Sequence, residues 1–269
     1  MPASAFILAL GSAVLHAAWN LLIARARDVQ AATAATFVLS LAFAAPFAAA
    51  WWHADADVWP YALASTLLEV VYVVGLAYAY RTTDVSFVYP LTRGLAPVLA
   101  LAFAVVALGH GASATEVEGV LLVAAGVVLV RGVGARGDAR ALVVVVTIAV
   151  SIAAYTLVDR AGIQRAGALT YFVLVLAGPS LVLPPLVGWT ALRRELGPTT
   201  VVGAGANLGS FALALLALRT GAAAPVLAVR SSSIVIATLL AGRLLAEEVT
   251  RPRVTGSALV FAGVALLAV

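Results

Sequence analysis

The sequence contains no cysteine and no lysine, a single methionine, and only 10% charged residues among 269. Without cysteine there are no disulfides and no thiolate metal sites, and the redox compartment carries no mark. A soluble domain carries about 25% charged residues. A chain of this size that is 64% hydrophobic cannot hide its apolar side chains in water, because a small body has too much surface for its volume. The remaining solvent is lipid. All the cationic charge is arginine, and most of it stands between apolar runs. The net charge of +4 therefore reads as a topology signal, not as a surface for nucleic acid. Three histidines, His16, His53 and His110, lie on different segments without ligand spacing, so no metal site is expected. No Gly-x-Ser-x-Gly, His-Glu-x-x-His or Walker pattern occurs, which argues against a hydrolase, a protease or an ATP-driven pump. Gly203 to Gly209 has the wrong spacing for a dinucleotide fingerprint; Gly205 and Gly209 read instead as a small-residue packing face. The chain is expected to be no enzyme and to need no cofactor.

What the sequence does have is long apolar runs. A membrane helix takes roughly 20 mainly apolar residues. That window gives ten spans near 4–24, 31–52, 60–80, 85–109, 116–131, 141–159, 169–190, 199–218, 223–242 and 254–269. The runs are continuous, unlike the alternating segments of a barrel, so the expected fold is an all-α membrane protein. Met1 to Leu10 lacks a basic leader region and its apolar run continues to Ile23, so the first segment reads as a span, not a cleaved signal.

The chain also repeats itself. Ala17-Ala18-Trp19-Asn20-Leu21 aligns with Ala153-Ala154-Tyr155-Thr156-Leu157, Arg81-Thr82 with Arg219-Thr220, Arg93 with Arg230, and Gly119 and Gly126 with Gly256 and Gly263. The offset stays between 136 and 138 throughout. Chance matches in such a chain fall on Ala and Val, not on paired arginines and glycines. The expected organisation is two five-helix repeats, 1–135 and 136–269. An odd number of spans per half makes them inverted, which is a transporter signature with the site between the halves.

Specific residues carry a resemblance. The stretch His16-Ala17-Ala18-Trp19-Asn20, the segment Leu244-Leu245-Ala246-Glu247-Glu248-Val249-Thr250, and Gly256 and Gly263 after it resemble the EamA family of the drug/metabolite transporter superfamily. Gly109-His110-Gly111 departs from the Gly-Glu that the family usually has there. The resemblance implies ten helices in a 5+5 plan and secondary transport of a small metabolite. It also implies a central cavity lined by spans 1, 3, 4, 6, 8 and 9, and it fixes no substrate. The expected location is the inner membrane, multi-pass.

Eleven arginines (25, 27, 81, 131, 136, 140, 193, 194, 243, 251 and 253) fall in the odd connections, against three (160, 165 and 219) in the others. The positive-inside rule then places both termini outside, whereas the family resemblance implies termini inside.

Glu69, Arg93 and Arg230 lie within spans. A charge at mid-bilayer costs at least about 2.5–3.5 kcal/mol on insertion scales, so such groups face a partner or a cavity. Under the repeat, Glu69 maps to Asn207, Tyr72 to Ser210, and Trp19-Asn20 to Tyr155-Thr156. Arg230 is the expected anchor for a carboxylate or zwitterion, because a guanidinium presents a planar fork to such groups. Glu69 is expected to pair with Arg93, and Glu69 or His16 to carry a coupling proton. The alternative is a buried ionic network that only fixes helix register, with the arginines snorkelling to the interface.

His16 and Asn20, one turn apart, share a face, either as site lining or as interhelical bonding. Trp19, Tyr72, Tyr89 and Tyr155 form apolar walls or simply pack. Trp51, Trp52, Trp59 and Trp189 read as interface anchors. Pro90, Pro97 and Pro225 are expected to break helix ladders and serve as hinges. Ser231, Ser232 and Ser233 either meet substrate, Ser232 above all, or bond back to their own helix. The expected partners are a small-molecule substrate, a coupling proton and the lipid bilayer, with no nucleic acid, in a monomer or homodimer. Two alternatives stand: export of amphipathic drugs on the aromatics, and a non-transporting scaffold or lipid-handling protein.

Overall fold

The computed structural model describes residues 1–82, 85–131, 139–236 and 251–268, without the side chains at 80–82, 85–90, 130–131, 253 and 268. These residues form α1 (Ala3–Ile23), α2 (Val29–Ala50), α3 (Trp59–Thr82), α4 (Val85–Val106), α5 (Ala114–Arg131) and α6 (Ala139–Gly162). They continue as α7 (Ala168–Val187), α8 (Trp189–Glu195), α9 (Pro198–Thr220), α10 (Ala223–Ser231) and α11 (Arg251–Ala268). Among the described residues the only β-type pairing is an isolated bridge between Ala54 and Ala166. Six helices, α1, α2, α3, α6, α7 and α9, are long and apolar enough to cross a membrane, and Leu91–Val106, Ala223–Ile236 and Val254–Leu267 are shorter apolar segments. Ile7, Leu63, Leu67, Leu181 and Phe261 point outward, more than half exposed. An apolar belt of this kind suits lipid and is rare on water-facing monomers.

Local chemistry sets the helix ends. Asp28 caps α2 by accepting from the Gln30 and Ala31 amides, each at 3.0 Å. Pro198 opens α9, where its missing N–H costs nothing. Gly188, at φ 88°, turns the chain out of α7 into α8. The sequence reading had merged the start of that short helix with the seventh run. Trp51, Trp52, Trp59 and Trp189 stand exposed at or beside helix ends, as interface anchors do.

The principal helix pairings form matched sets. α1 packs on α9 as α3 packs on α6, α1 on α10 as α4 on α6, and α2 on α9 as α3 on α7. α2 also packs on α7, α4 on α10, and α5 on α11, while α4 packs on α5 more extensively than α10 does on α11. The α5–α11 pair is the tightest. A methyl group at Gly126 would lie 2.6 Å from the Gly256 carbonyl oxygen, and one at Gly263 would lie 2.7 Å from that of Gly119. Backbone meets backbone there, so only glycine fits. By contrast Gly205, read from sequence as part of a packing face, has nothing within 4 Å, and only Gly209 meets a neighbour, Leu15. The spacing fitted a packing motif, but Gly205 points away from the bundle.

At one end of the bundle the 51–58 loop is tied to the 163–167 loop. The Asp55 amide donates to Arg165 O at 2.8 Å, the Gly167 amide to His53 O at 2.8 Å, and Arg165 Nε meets Asp57 Oδ2 at 2.8 Å. Met1 and Leu267 meet at this level too, through an ammonium–carbonyl bond of 3.1 Å.

Candidate functional site

The polar residues singled out in the sequence converge inside the bundle. On α1, Trp19 Nε1 donates to His16 Nδ1 at 3.2 Å, with the rings edge-to-face. On the other side of the ring, His16 Nε2 lies 3.4 Å from Arg93 Nη2 on α4, a contact whose donor and acceptor follow from the His16 tautomer. The same Nη2 donates to Tyr72 Oη on α3 at 3.3 Å. The Tyr72 ring lies against Tyr155 of α6, with centroids 6.2 Å apart. Trp19 leans on Phe37 of α2 at 6.3 Å. Asn20 shares the face of His16 but spends its amide on the His16 carbonyl, at 2.7 Å.

The second arginine is anchored differently. Arg230 Nε donates to Ser12 Oγ at 3.0 Å. Ser12 Oγ in turn donates to Ser210 O at 2.7 Å, and Ser210 Oγ returns a bond to Ser12 O at 2.9 Å, so α1 and α9 are laced together beneath the guanidinium. One residue past Arg230 the α-helical ladder is interrupted at a single residue: α10 ends at Ser231, Ser232 keeps helical dihedrals (φ −60°, ψ −18°), and the helical turn resumes at Ser233. Ser231 donates to Leu227 O at 3.0 Å and Ser232 to Val229 O at 2.7 Å, hydroxyl bonds that compete with the helix ladder. Proline was the expected cause of such an interruption. Pro225 in fact lies in the first turn of α10, where its missing N–H leaves no ladder bond unmade, and Pro97 lies within the helical span of α4. Pro90 and Tyr89 lie outside the described side chains, and the segment Leu244 to Thr250 lies outside the described residues.

The expected Glu69–Arg93 ion pair is not formed. Among the described residues the one ion pair is Arg165–Asp57 at the loop end, and Arg93 turns instead to His16 and Tyr72. Glu69 is 3% exposed, within the fields of Asp159, Arg230 and Arg93. No described hydrogen bond reaches its carboxyl. Its repeat counterpart Asn207 is satisfied by donating to Ser40 Oγ at 3.1 Å.

Asp159 is the residue the sequence reading missed. It is 2% exposed, and its Oδ1 accepts from Ser65 Oγ at 2.5 Å and from Tyr171 Oη at 3.1 Å. Its position at the predicted end of the sixth run made it look like an ordinary helix-end charge. The helix runs on to Gly162 and carries the carboxyl inside. A longer window on that run would have found it.

A solved crystal structure superposes on 99% of this chain and 96% of its own length, with a TM-score of 0.71 at 20% identity, a likeness of fold. No curated protein matches the sequence. A model of the EamA-like transporter family matches residues 3–132. With its apolar helices and buried polar interior, the first half of this chain belongs to the EamA-like transporter family.

Proposed function

We propose that the protein is a secondary active transporter of a small carboxylate-bearing or zwitterionic metabolite, working as exporter or exchanger in the inner membrane. Two inverted five-helix halves, 1–135 and 136–269, rock about a site between them. The matched helix pairings and the Gly119–Gly263 and Gly126–Gly256 approaches support that organisation, as does the family match. The observation that supports the substrate class is the placing of two guanidinium groups, Arg93 and Arg230, within each other's field inside the bundle. A guanidinium presents a planar fork to an oxyanion and repels a cation. The interrupted ladder at Ser232 lies next to the arginine.

A second reading is export of amphipathic drugs on the Tyr72–Tyr155 and Trp19–Phe37 ring pairs, with the charges structural. Melting temperatures in detergent decide between them, measured with carboxylates, amino acids, neutral sugars and lipophilic cations. A ligand stabilises the state it binds by mass action. Anionic or zwitterionic compounds are expected to raise the melting temperature of wild type and to lose that effect in Arg230→Ala. Stabilisation by lipophilic cations alone would select the drug reading.

A further inference from the structure

Among the described residues, Asp159 and Glu69 are the two buried carboxyls, and anion binding has no use for either. Asp159 has only neutral hydroxyls as partners, Ser65 and Tyr171. Glu69 stands on α3 one turn beyond Ser65, so both face α6, and it is buried without a described hydrogen-bond partner. Ser65 and Glu69 belong to the first half of the chain, Asp159 and Tyr171 to the second, so the pair straddles the surface along which the halves would move. Asp159 lies three residues before the end of α6 and Glu69 ten residues into α3. At ~1.5 Å per residue these are depths of roughly 5 Å and 15 Å from the same end. Tyr155 and Arg160 share α6 with Asp159, and the charges of Arg93 on α4 and Arg230 on α10 act on Glu69. Tyr171 comes from α7. Tyr72 shares α3 with Glu69, and His16 of α1 stands beyond Arg93. From α9, Arg219 is engaged at the loop end with the Ile163 and Ala166 carbonyls.

We propose that Asp159 and Glu69 are two stations of a proton path that opens at the 163–167 loop end and leads to the arginine site. A hydronium ion at that end gives its proton to a carboxylate oxygen of Asp159 and leaves water. The proton then passes inward to Glu69, with the Ser65 hydroxyl between the two along α3. A protonated carboxyl crosses the low-dielectric interior without the cost of a bare charge. Binding at Glu69 places this proton in the field of Arg93 and Arg230, so proton and anion occupancy become coupled. The coupling rests on the transport reading above; the proton site itself does not.

The test is pH-difference infrared spectroscopy of the purified protein in lipid, for wild type, Asp159→Asn, Glu69→Gln and Tyr171→Phe. Wild type is expected to gain two carboxylic C=O bands on acidification. Asp159→Asn and Glu69→Gln each remove one band, and Tyr171→Phe shifts the Asp159 band without removing it. Asn keeps an acceptor for Ser65 and Tyr171, so the fold is retained. An unchanged spectrum in Asp159→Asn overturns the proposal. Bands that respond to sodium at fixed pH also overturn it, by assigning the site to a metal cation. Because no substrate is added, bands seen in a protein that no anion stabilises would keep the proton site while removing the anion reading.

Discussion

The two halves of the chain agree where backbone meets backbone and differ where side chains meet the interior. Gly119 and Gly126 of α5 find Gly263 and Gly256 of α11 in a symmetric crossing. At the corresponding polar positions of α3 and α9, one half has a carboxyl without a described partner, Glu69, and the other an amide already bonded to Ser40, Asn207. The arginines share position but not partners: Arg93 meets His16 and Tyr72, while Arg230 meets Ser12. The comparison separates what the pairing of the halves requires from what the interior selects. Close helix approach is a property of the pair and tolerates no change on either side. A polar residue acts on its local surroundings and is free to diverge.

The largest expected effect breaks the symmetric part. Gly126→Leu places a side chain where the Gly256 carbonyl and Val260 already stand. Overpacking costs about 1–3 kcal/mol when neighbours can yield, and a backbone carbonyl yields less than a side chain. Loss of the monodisperse peak in size-exclusion chromatography is expected, while Gly205→Leu, with open space around it, elutes as wild type. Next comes an attempt to make the halves alike. Asn207→Glu gives α9 the carboxyl of α3 without a proton path behind it, at a cost of about 2.5–3.5 kcal/mol on insertion scales. A reduced yield of membrane-inserted protein checks this, and an undiminished yield would mean that the two environments are equivalent. The smallest effect sharpens the contrast: Asn207→Ala loses one interhelical bond, worth ~0.6 kcal/mol on average, and lowers the melting temperature only slightly.

The all-α class and the long apolar helices were legible in the sequence, because lipid forces apolar length onto every span. The convergence of His16, Tyr72, Arg93, Tyr155 and Arg230 was legible for the same reason: charge inside a span has few places to go. Asp159 was not. The half-chain offset of 136 in this segment places Asp159 opposite Ile23, so nothing polar marked it in the first half. The Glu69–Arg93 pairing was read from opposite charge alone, whereas the direction each side chain takes from its helix sends Arg93 to His16. The hinge was assigned to Pro225 by residue type. Its place in the first turn makes it harmless, and the one interruption of the α-helical ladder falls at Ser232 instead.

By itself the sequence determined the solvent, the class of fold, the family of the first half and which residues are costly enough to need an interior. The family rests on particular motif residues and the match over residues 3–132; the rest follows from composition and period, which one strand of text carries in full. Only the tertiary structure decided the partners. Trp19 meeting the His16 ring, Ser12 holding Arg230 and Ser65 reaching Asp159 are contacts of a few ångströms, and the last two cross between helices. Which of several eligible groups meet at that range depends on helix rotation and crossing, which residue spacing along one helix does not specify.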